Sequence, residues 1–208
     1  TLSSAIIISG LASLITRKKS YVLIMRVANI INMRDMNLLR LILESFVLNF
    51  SDGIICNSQA TAKSVKKLLI LRKNKNSIKV ISNPVLDDNF KTMISNHKKE
   101  EKKYKQLIFI GRLVPQKQVK HTIRAFEIIN SQLKDVKLTI IGEGLEFKET
   151  RQLIEKLGLQ DKVTIKPYCN NIPSLLMNSD CLINTSKFEG FGNIFIEGIA
   201  FCDYLVCY

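Results

Sequence analysis

A glycine turn between a predicted strand and a predicted helix has the sequence Glu189-Gly190-Phe191-Gly192-Asn193-Ile194-Phe195-Ile196-Glu197. The apolar run at 181–184 that precedes it is typical of a short buried strand, and the residues after it have the pattern of a helix. A strand, a glycine turn and a helix in this order present backbone N–H groups at the helix start, where the helix dipole also attracts negative charge. The stretch therefore predicts an α/β unit with a phosphate-binding turn.

A second loop has a related position and contains two cations. It follows another apolar strand and has the sequence Gly111-Arg112-Leu113-Val114-Pro115-Gln116-Lys117. Ligands of open parallel sheets bind at the carboxyl ends of the strands, where both loops are expected. The guanidinium of Arg112 offers a planar fork for two phosphate oxygens, and the ammonium of Lys117 is a compact point charge. Together the loops predict a site for a nucleoside diphosphate that carries a group to be transferred.

The rest of the chain alternates short apolar runs with helical periodicity. Strands are predicted at 21–27, 53–56, 78–81, 107–110, 137–141, 163–166, 181–184 and 205–207. Helices are predicted at 2–15, 35–50, 59–71, 119–133, 145–157, 172–177 and 193–200. Ser58 is a suitable N-cap for the helix at 59–71, and the helix at 35–50 has an apolar stripe of Leu39, Ile42, Leu43 and Phe46. Strands separated by helices require crossover connections, so the sheets are expected to be parallel.

A lysine-rich segment at 91–105 predicts a boundary between two Rossmann-like domains, 1–92 and 93–208. This segment is either a solvated linker or a basic patch for acceptor or lipid phosphates. The net charge of +13 favours anionic partners, namely nucleic acid, anionic lipid or a phosphorylated substrate. A basic surface without a specific partner is the alternative interpretation of this charge.

The cysteines and histidines argue against a disulfide framework and a transition-metal site. Five cysteines are present without a CxxC pair, and Cys56, Cys181 and Cys207 lie in apolar runs that predict buried thiols in a reducing compartment. The two histidines have no partner at metal-ligand spacing. The apolar run near the start is shorter than a membrane-spanning helix, and cations follow it, so it does not fit a signal peptide. A cytoplasmic protein is therefore expected.

The two loops and three further fragments, all in the same order, resemble the retaining glycosyltransferases of family 4, also called group 1. The further fragments are Asp52-Gly53-Ile54-Ile55-Cys56-Asn57-Ser58, Ser82-Asn83-Pro84-Val85 and Ile140-Ile141-Gly142-Glu143-Gly144. The resemblance extends from about Ser20 to Glu197. It implies an α/β fold of the GT-B type, with two Rossmann-like domains built on parallel sheets, both incomplete. Residues 1–92 would form a partial acceptor-side domain and residues 93–208 a partial donor-binding domain.

The resemblance also implies a role for individual residues. The catalytic set is Glu189 beside the donor sugar, with Arg112 and Lys117 on the leaving diphosphate. Glu197 would accept hydrogen bonds from the ribose hydroxyls. The donor-binding set as a whole is Gly111, Arg112, Lys117, Gly192, Asn193 and Glu197. The structural alternatives are surface cations at 112 and 117 and an exposed helix carboxylate at 197.

The implied activity is transfer of a hexosyl or N-acetylhexosaminyl group from a nucleotide sugar, expected to be a UDP-sugar, with retention of anomeric configuration. The acceptor would be a glycan or a lipid-linked glycan in cell-surface polysaccharide or lipopolysaccharide biosynthesis. No cofactor and no metal are expected, and the charge admits peripheral contact with an anionic membrane at its cytoplasmic face.

Several departures from the family pattern predict a truncated member. A glycine-rich loop near the start is missing, the run after Glu197 lacks the usual Gly and Pro, and Gln118 replaces a common Gly. A catalytically inactive GT-B remnant is therefore an alternative. A basic nucleic-acid-binding protein is a more distant one, because no recognition motif for RNA or DNA is present.

Overall fold

The computed structural model describes residues 22–33, 36–69, 78–86, 88–96 and 105–208, together with Ile8 and Ala12. Nearly all of the predicted helix at 2–15 lies outside the described residues. The described chain divides into two units. The first contains the residues up to Asn83 and also Glu189–Phe191, and the second contains Pro84–Phe188 and Gly192–Tyr208. None of the helices in these ranges is both long and apolar enough to cross a membrane.

The first unit contains a parallel sheet with strand order β1-β2-β3 within the described ranges. Its elements are β1 (Ile24–Val27), α1 (Leu38–Phe50), β2 (Gly53–Cys56), α2 (Gln59–Leu68) and β3 (Ile78–Val80). The prediction for β2 is confirmed at both ends. The predicted N-cap of α2 is also confirmed, because the Ser58 side chain accepts a hydrogen bond from the backbone N–H of Thr61 at 3.1 Å.

The apolar stripe predicted for α1 does not face the core of the first unit. The exposed fractions of Leu39, Ile42 and Phe46 are 68%, 55% and 39%. The helix instead packs through Val47 and Leu48, which are 1% and 0% exposed. Because α1 is apolar on more than one side, periodicity alone does not decide which side meets the sheet.

The second unit contains a five-stranded parallel sheet with strand order β6-β5-β4-β7-β8. Its strands are β4 (Lys105–Ile110), β5 (Val136–Ile141), β6 (Val163–Lys166), β7 (Cys181–Asn184) and β8 (Tyr204–Cys207). Its helices are α3 (Asp88–Asn96), α4 (Val119–Gln132), α5 (Phe147–Lys156), α6 (Ile172–Met177) and α7 (Asn193–Phe201), with a 3-10 helix at Pro115–Lys117. The predicted α/β class with parallel sheets is therefore confirmed.

The central strand β4 supplies side chains to two cores, one on each face of the sheet. Leu107 and Phe109 belong to one buried cluster, and Ile108 and Ile110 belong to the other. A strand covered on both faces has a continuous apolar sequence, which explains the run that β4 shows.

Helix α3 was not predicted, because its sequence runs into the lysine-rich segment. The Phe90 ring packs against the Phe201 ring at a centroid distance of 5.7 Å, and Met93 packs against the same buried cluster. The boundary predicted between residues 92 and 93 lies inside this helix, and the two units divide between Asn83 and Pro84. Residues 97–104 of the predicted linker lie outside the described residues.

The cysteines differ in their surroundings. Cys56 is buried in β2, and this burial, partly offset by Lys66, raises the pKa of its thiol to about 11. Burial also raises the pKa of Cys181, which is partly buried. The prediction that Cys207 is buried is wrong, because it lies on the edge strand β8 and is exposed.

Candidate functional site

The strand order of the second unit creates a topological switch point beside β4. The chain builds β5 and β6 on one side of β4 and then returns to build β7 and β8 on the other side. Connections that leave neighbouring strands toward opposite sides open a crevice at the carboxyl ends of those strands, and ligands of open α/β sheets bind there. In this unit the two strands are β4 and β7, and they are followed by the cationic loop and the glycine turn.

Within the second unit, hydrogen bonds join the cationic loop to residues 185–188, the chain that leaves β7 just before the glycine turn. The backbone N–H of Lys187 donates to the Gln116 carbonyl at 2.9 Å, and the Gln116 side-chain amide donates to the Phe188 carbonyl at 2.9 Å. The Thr185 hydroxyl lies 3.0 Å from the Lys117 carbonyl oxygen. Sequence reasoning missed Gln116 and Thr185, because a polar side chain that bonds across to another loop has the same sequence pattern as a solvated one.

The cations lie where the sequence predicted them, after the carboxyl end of β4. Arg112 is exposed, and Lys117 is partly buried in the last turn of the 3-10 helix. The Lys117 side chain passes over Gly111, since a Cβ at residue 111 would lie 3.5 Å from its Cδ and Cε atoms. The turn after β5 packs closely against this loop, because a Cβ at Gly142 would lie only 1.9 Å from the Gly111 carbonyl oxygen. Gly142, which belongs to one of the fragments that resemble the family, therefore packs directly beneath the cationic loop.

Helix α7 begins with an N-terminus that no side chain caps. Its N-cap is Gly192, at φ 71° and ψ 59°, a left-handed conformation that favours glycine. Asn193 is the first helical residue and is exposed. Such a start presents backbone N–H groups toward an anion and adds the positive end of the helix dipole.

The two predicted carboxylates have different surroundings. Glu197 lies one turn into α7 and is partly buried, and this burial raises the pKa of its carboxyl group. Glu189 is also partly buried and belongs to the short stretch Glu189–Phe191 of the first unit. The carbonyl that follows it, that of Gly190, lies 2.5 Å from the Ser58 hydroxyl oxygen. The sequence identified Ser58 as an N-cap but gave no sign of this second contact.

Gln118 occupies a strained position directly after Lys117. Its backbone has φ 49° and ψ 41°, and among the described residues it alone combines a positive φ with a side chain. Its side-chain carbonyl oxygen is buried without a hydrogen-bond partner. The replacement of a common glycine at this position was visible in the sequence, and the left-handed backbone explains why glycine suits it.

The curated proteins with sequence similarity to this chain include two bacterial glycosyltransferases. The poly(glycerol-phosphate) alpha-glucosyltransferase of Bacillus subtilis is 36% identical over 98 residues, which are 47% of this chain and 14% of that protein. The N-acetylgalactosamine-N,N'-diacetylbacillosaminyl-diphospho-undecaprenol 4-alpha-N-acetylgalactosaminyltransferase of Campylobacter jejuni is 34% identical over 105 residues, which are 50% of this chain and 28% of that protein.

Among solved structures, Anabaena HepE in complex with UDP and glucose matches with a TM-score of 0.79. The match has 24% identity and covers 98% of this chain and 56% of HepE. This likeness concerns the fold, and it confirms the predicted GT-B type. This chain therefore covers less than two thirds of the length of each of these three proteins.

The family comparison covers the residues that build both loops. Residues 90–208 match the family described as Glycosyl transferases group 1. This region is more than half of the chain and contains β4, β7 and the connections that follow them. The chain therefore belongs to the group 1 glycosyl transferases.

Proposed function

We propose that this chain binds a nucleotide sugar and belongs to the retaining enzymes of glycosyltransferase family 4, which transfer a hexosyl or N-acetylhexosaminyl group. The observation that supports this most directly is the direct hydrogen bonding between the cationic loop and the chain leaving β7, at the switch point of the sheet. A UDP-sugar is the proposed donor, because HepE was solved with UDP and glucose.

The proposed chemistry depends on charge at the leaving group. When the bond between the anomeric carbon and the diphosphate breaks, negative charge develops on the phosphate oxygens. Fixed cations and oriented N–H groups stabilise this charge more than they stabilise the ground state. Arg112, Lys117 and the start of α7 at Gly192 and Asn193 are proposed to do this without a metal ion.

The carboxylates have separate proposed roles. Glu197 accepts hydrogen bonds from the ribose hydroxyls of the donor. Glu189 hydrogen-bonds the sugar and stabilises positive charge on its ring, while the acceptor attacks from the face that the diphosphate leaves. Retention of configuration follows from this front-face geometry.

The acceptor is proposed to be a glycan or a lipid-linked glycan in cell-surface polysaccharide or lipopolysaccharide assembly. The support is the Campylobacter relative, whose name describes action on a diphospho-undecaprenol substrate. The proposed site of action is the cytoplasm, with peripheral contact at the cytoplasmic face of an anionic membrane.

Calorimetric titration of UDP-glucose and UDP-N-acetylglucosamine into the whole chain tests donor binding. Arg112→Ala and Lys117→Ala should each weaken binding about 10- to 100-fold, because each removes a charge-assisted contact to phosphate. Lys105→Ala is the matched control, since Lys105 is an exposed cation at the opposite end of β4. Addition of EDTA should leave the affinity unchanged.

Unchanged affinity in both loop variants would contradict the proposed site. Binding without sugar transfer to any acceptor, or without donor hydrolysis, would favour the inactive GT-B remnant. Tight, salt-dependent binding of short RNA by a chain that does not bind UDP-sugars would favour the nucleic-acid alternative.

A further inference from the structure

The tip of the glycine turn is held by the first residues of α2. The Gly190 carbonyl oxygen lies 2.5 Å from the Ser58 hydroxyl oxygen and 3.4 Å from that of Thr61. All three residues belong to the first unit. Ser58 therefore has two contacts, since its oxygen caps α2 and its hydroxyl lies closer to the Gly190 carbonyl oxygen, at 2.5 Å, than to the Thr61 hydroxyl oxygen, at 3.0 Å.

A buried network of hydrogen bonds determines which hydroxyl donates to the Gly190 carbonyl. Thr61 is fully buried and donates its hydroxyl hydrogen to the Asn57 side-chain oxygen at 2.9 Å. The Asn57 side-chain amide in turn donates to the Ala28 carbonyl at 2.6 Å. Because a hydroxyl has one hydrogen, and that of Thr61 is directed to Asn57, the Gly190 carbonyl depends on Ser58.

Close packing restrains the other side of the same residue. A Cβ at Gly190 would lie 2.0 Å from the Ala28 carbonyl oxygen, so the main chain of residue 190 lies directly against the end of β1. Gly190 is buried. A buried carbonyl that loses its donor is costly, so the contact with Ser58 strongly restrains the position of this peptide.

We propose that Ser58 is a positioning residue for Glu189: its hydroxyl fixes the Gly190 peptide and thereby holds the Glu189 carboxylate toward the sugar of the donor. This inference rests on the proposed function, in which Glu189 contacts the sugar and not the nucleotide. We therefore expect Ser58 to affect the difference between the affinity for UDP-glucose and the affinity for UDP.

A pair of variants of equal size separates positioning from helix capping. Ser58→Asp and Ser58→Asn both retain an oxygen that caps α2, but only the Asn side chain retains a donor for the Gly190 carbonyl. Ser58→Thr retains the hydroxyl itself. Circular dichroism and thermal melting first establish that each variant is folded.

The first measurement is the affinity for UDP-glucose relative to UDP, by calorimetry on the whole chain. Ser58→Asp should reduce this ratio about 10-fold, and Ser58→Asn and Ser58→Thr should stay within about twofold of the wild type. In a Glu189→Ala background, Ser58→Asp should have no further effect on the ratio, because the residue acts through Glu189. Equal ratios for Ser58→Asp and Ser58→Asn, or additive effects of Ser58→Asp and Glu189→Ala, would overturn the proposal.

The second measurement needs no ligand. A glutamate-specific protease should cut after Glu189 faster in Ser58→Asp than in Ser58→Asn, with cleavage after the exposed Glu143 as the internal reference. Equal cleavage after Glu189 in both variants would overturn the proposal. If the wild-type chain binds neither UDP nor UDP-glucose, the proposed function fails, and the cleavage comparison alone decides whether Ser58 fixes the turn.

Discussion

Gln118 is a residue whose backbone conformation and side chain both destabilise the fold. Its left-handed backbone disfavours any residue with a Cβ, by about 1–2 kcal/mol. The same residue buries a side-chain oxygen that has no hydrogen-bond partner. The site therefore tolerates strain at the residue next to Lys117, as functional loops often do.

Replacing this residue should stabilise the second unit. Gln118→Gly should raise the free energy of unfolding by about 1 kcal/mol, because relief of strain and of the unpaired oxygen exceeds the added entropy of the unfolded chain. Urea denaturation measures the change. Gln118→Ala is the matched control, since it removes the unpaired oxygen but keeps the Cβ, and it should gain less than Gly. Equal gains in both variants would assign the effect to the oxygen alone.

Glu197 should link stability to pH. Burial raises the pKa of its carboxyl in the folded chain, so ionisation at neutral pH lowers the stability of the fold. Glu197→Gln should therefore be more stable than the wild type at pH 7. This advantage should shrink as the pH falls through the raised pKa and vanish below the ordinary value of 4.5, where the carboxyl is protonated in both states.

Urea denaturation of both proteins between neutral and acidic pH measures this difference. Glu143→Gln, at an exposed position, is the control and should show no such gain. If Glu197 has its proposed role, the same Glu197→Gln change should weaken UDP binding, because the amide is a poorer acceptor for the ribose hydroxyls. A stability difference that grows toward acidic pH would contradict this account.

At the scale of elements, one apolar face of α1 packs against the core of the first unit and another apolar face is exposed. Leu48→Ala should lower the free energy of unfolding by about 2–5 kcal/mol, because Leu48 is fully buried and its removal leaves a cavity. Ile42→Ala on the same helix is the control and should change it by less than about 1 kcal/mol, because Ile42 is 55% exposed. Chemical denaturation compares the two. A larger loss in Ile42→Ala would mean that the predicted stripe meets the core after all.

Sequence reasoning located elements well where apolar runs end at clear breaks. The bounds of β2, β6, α6 and β7 agree with the prediction, because each run is short and polar or turn-forming residues follow it. It missed α3, because a lysine-rich composition concealed Phe90 and Met93, which pack against the core. The choice of packing face on α1 depends on tertiary contacts, which periodicity does not contain.

The site was predictable in part for a similar reason. Cations and glycines that follow strands lie at the carboxyl edge of a parallel sheet, so Arg112, Lys117 and Gly192 could be placed from the sequence. The hydrogen bonds of Thr185 and Ser58 join residues that are far apart in the chain. Such pairs depend on strand order and register, and neither is encoded in local pattern.

At the scale of the whole molecule, the net charge of +13 should govern binding to membranes. At low salt the chain should bind vesicles that contain phosphatidylglycerol and should not bind vesicles of phosphatidylcholine alone. Binding should disappear at about 1 M salt, where the Debye length is about 3 Å. Sedimentation with vesicles measures this. Binding to neutral vesicles, or binding that survives high salt, would point instead to insertion of exposed apolar side chains.

The strand order of the second unit also bears on when the proposed binding site can form. Strand β7 pairs with β4 although β5 and β6 lie between them in the chain. The Gln106 N–H in β4 and the Asp180 carboxylate directly before β7 form a hydrogen bond across 74 residues. Closing so long a loop costs entropy that only the completed contact offsets. During synthesis, β4 and the cations Arg112 and Lys117 that follow it would leave the ribosome long before the glycine turn does. A nucleotide that needs both loops would then select chains in which this last pairing has formed, and it would favour completion of folding by mass action.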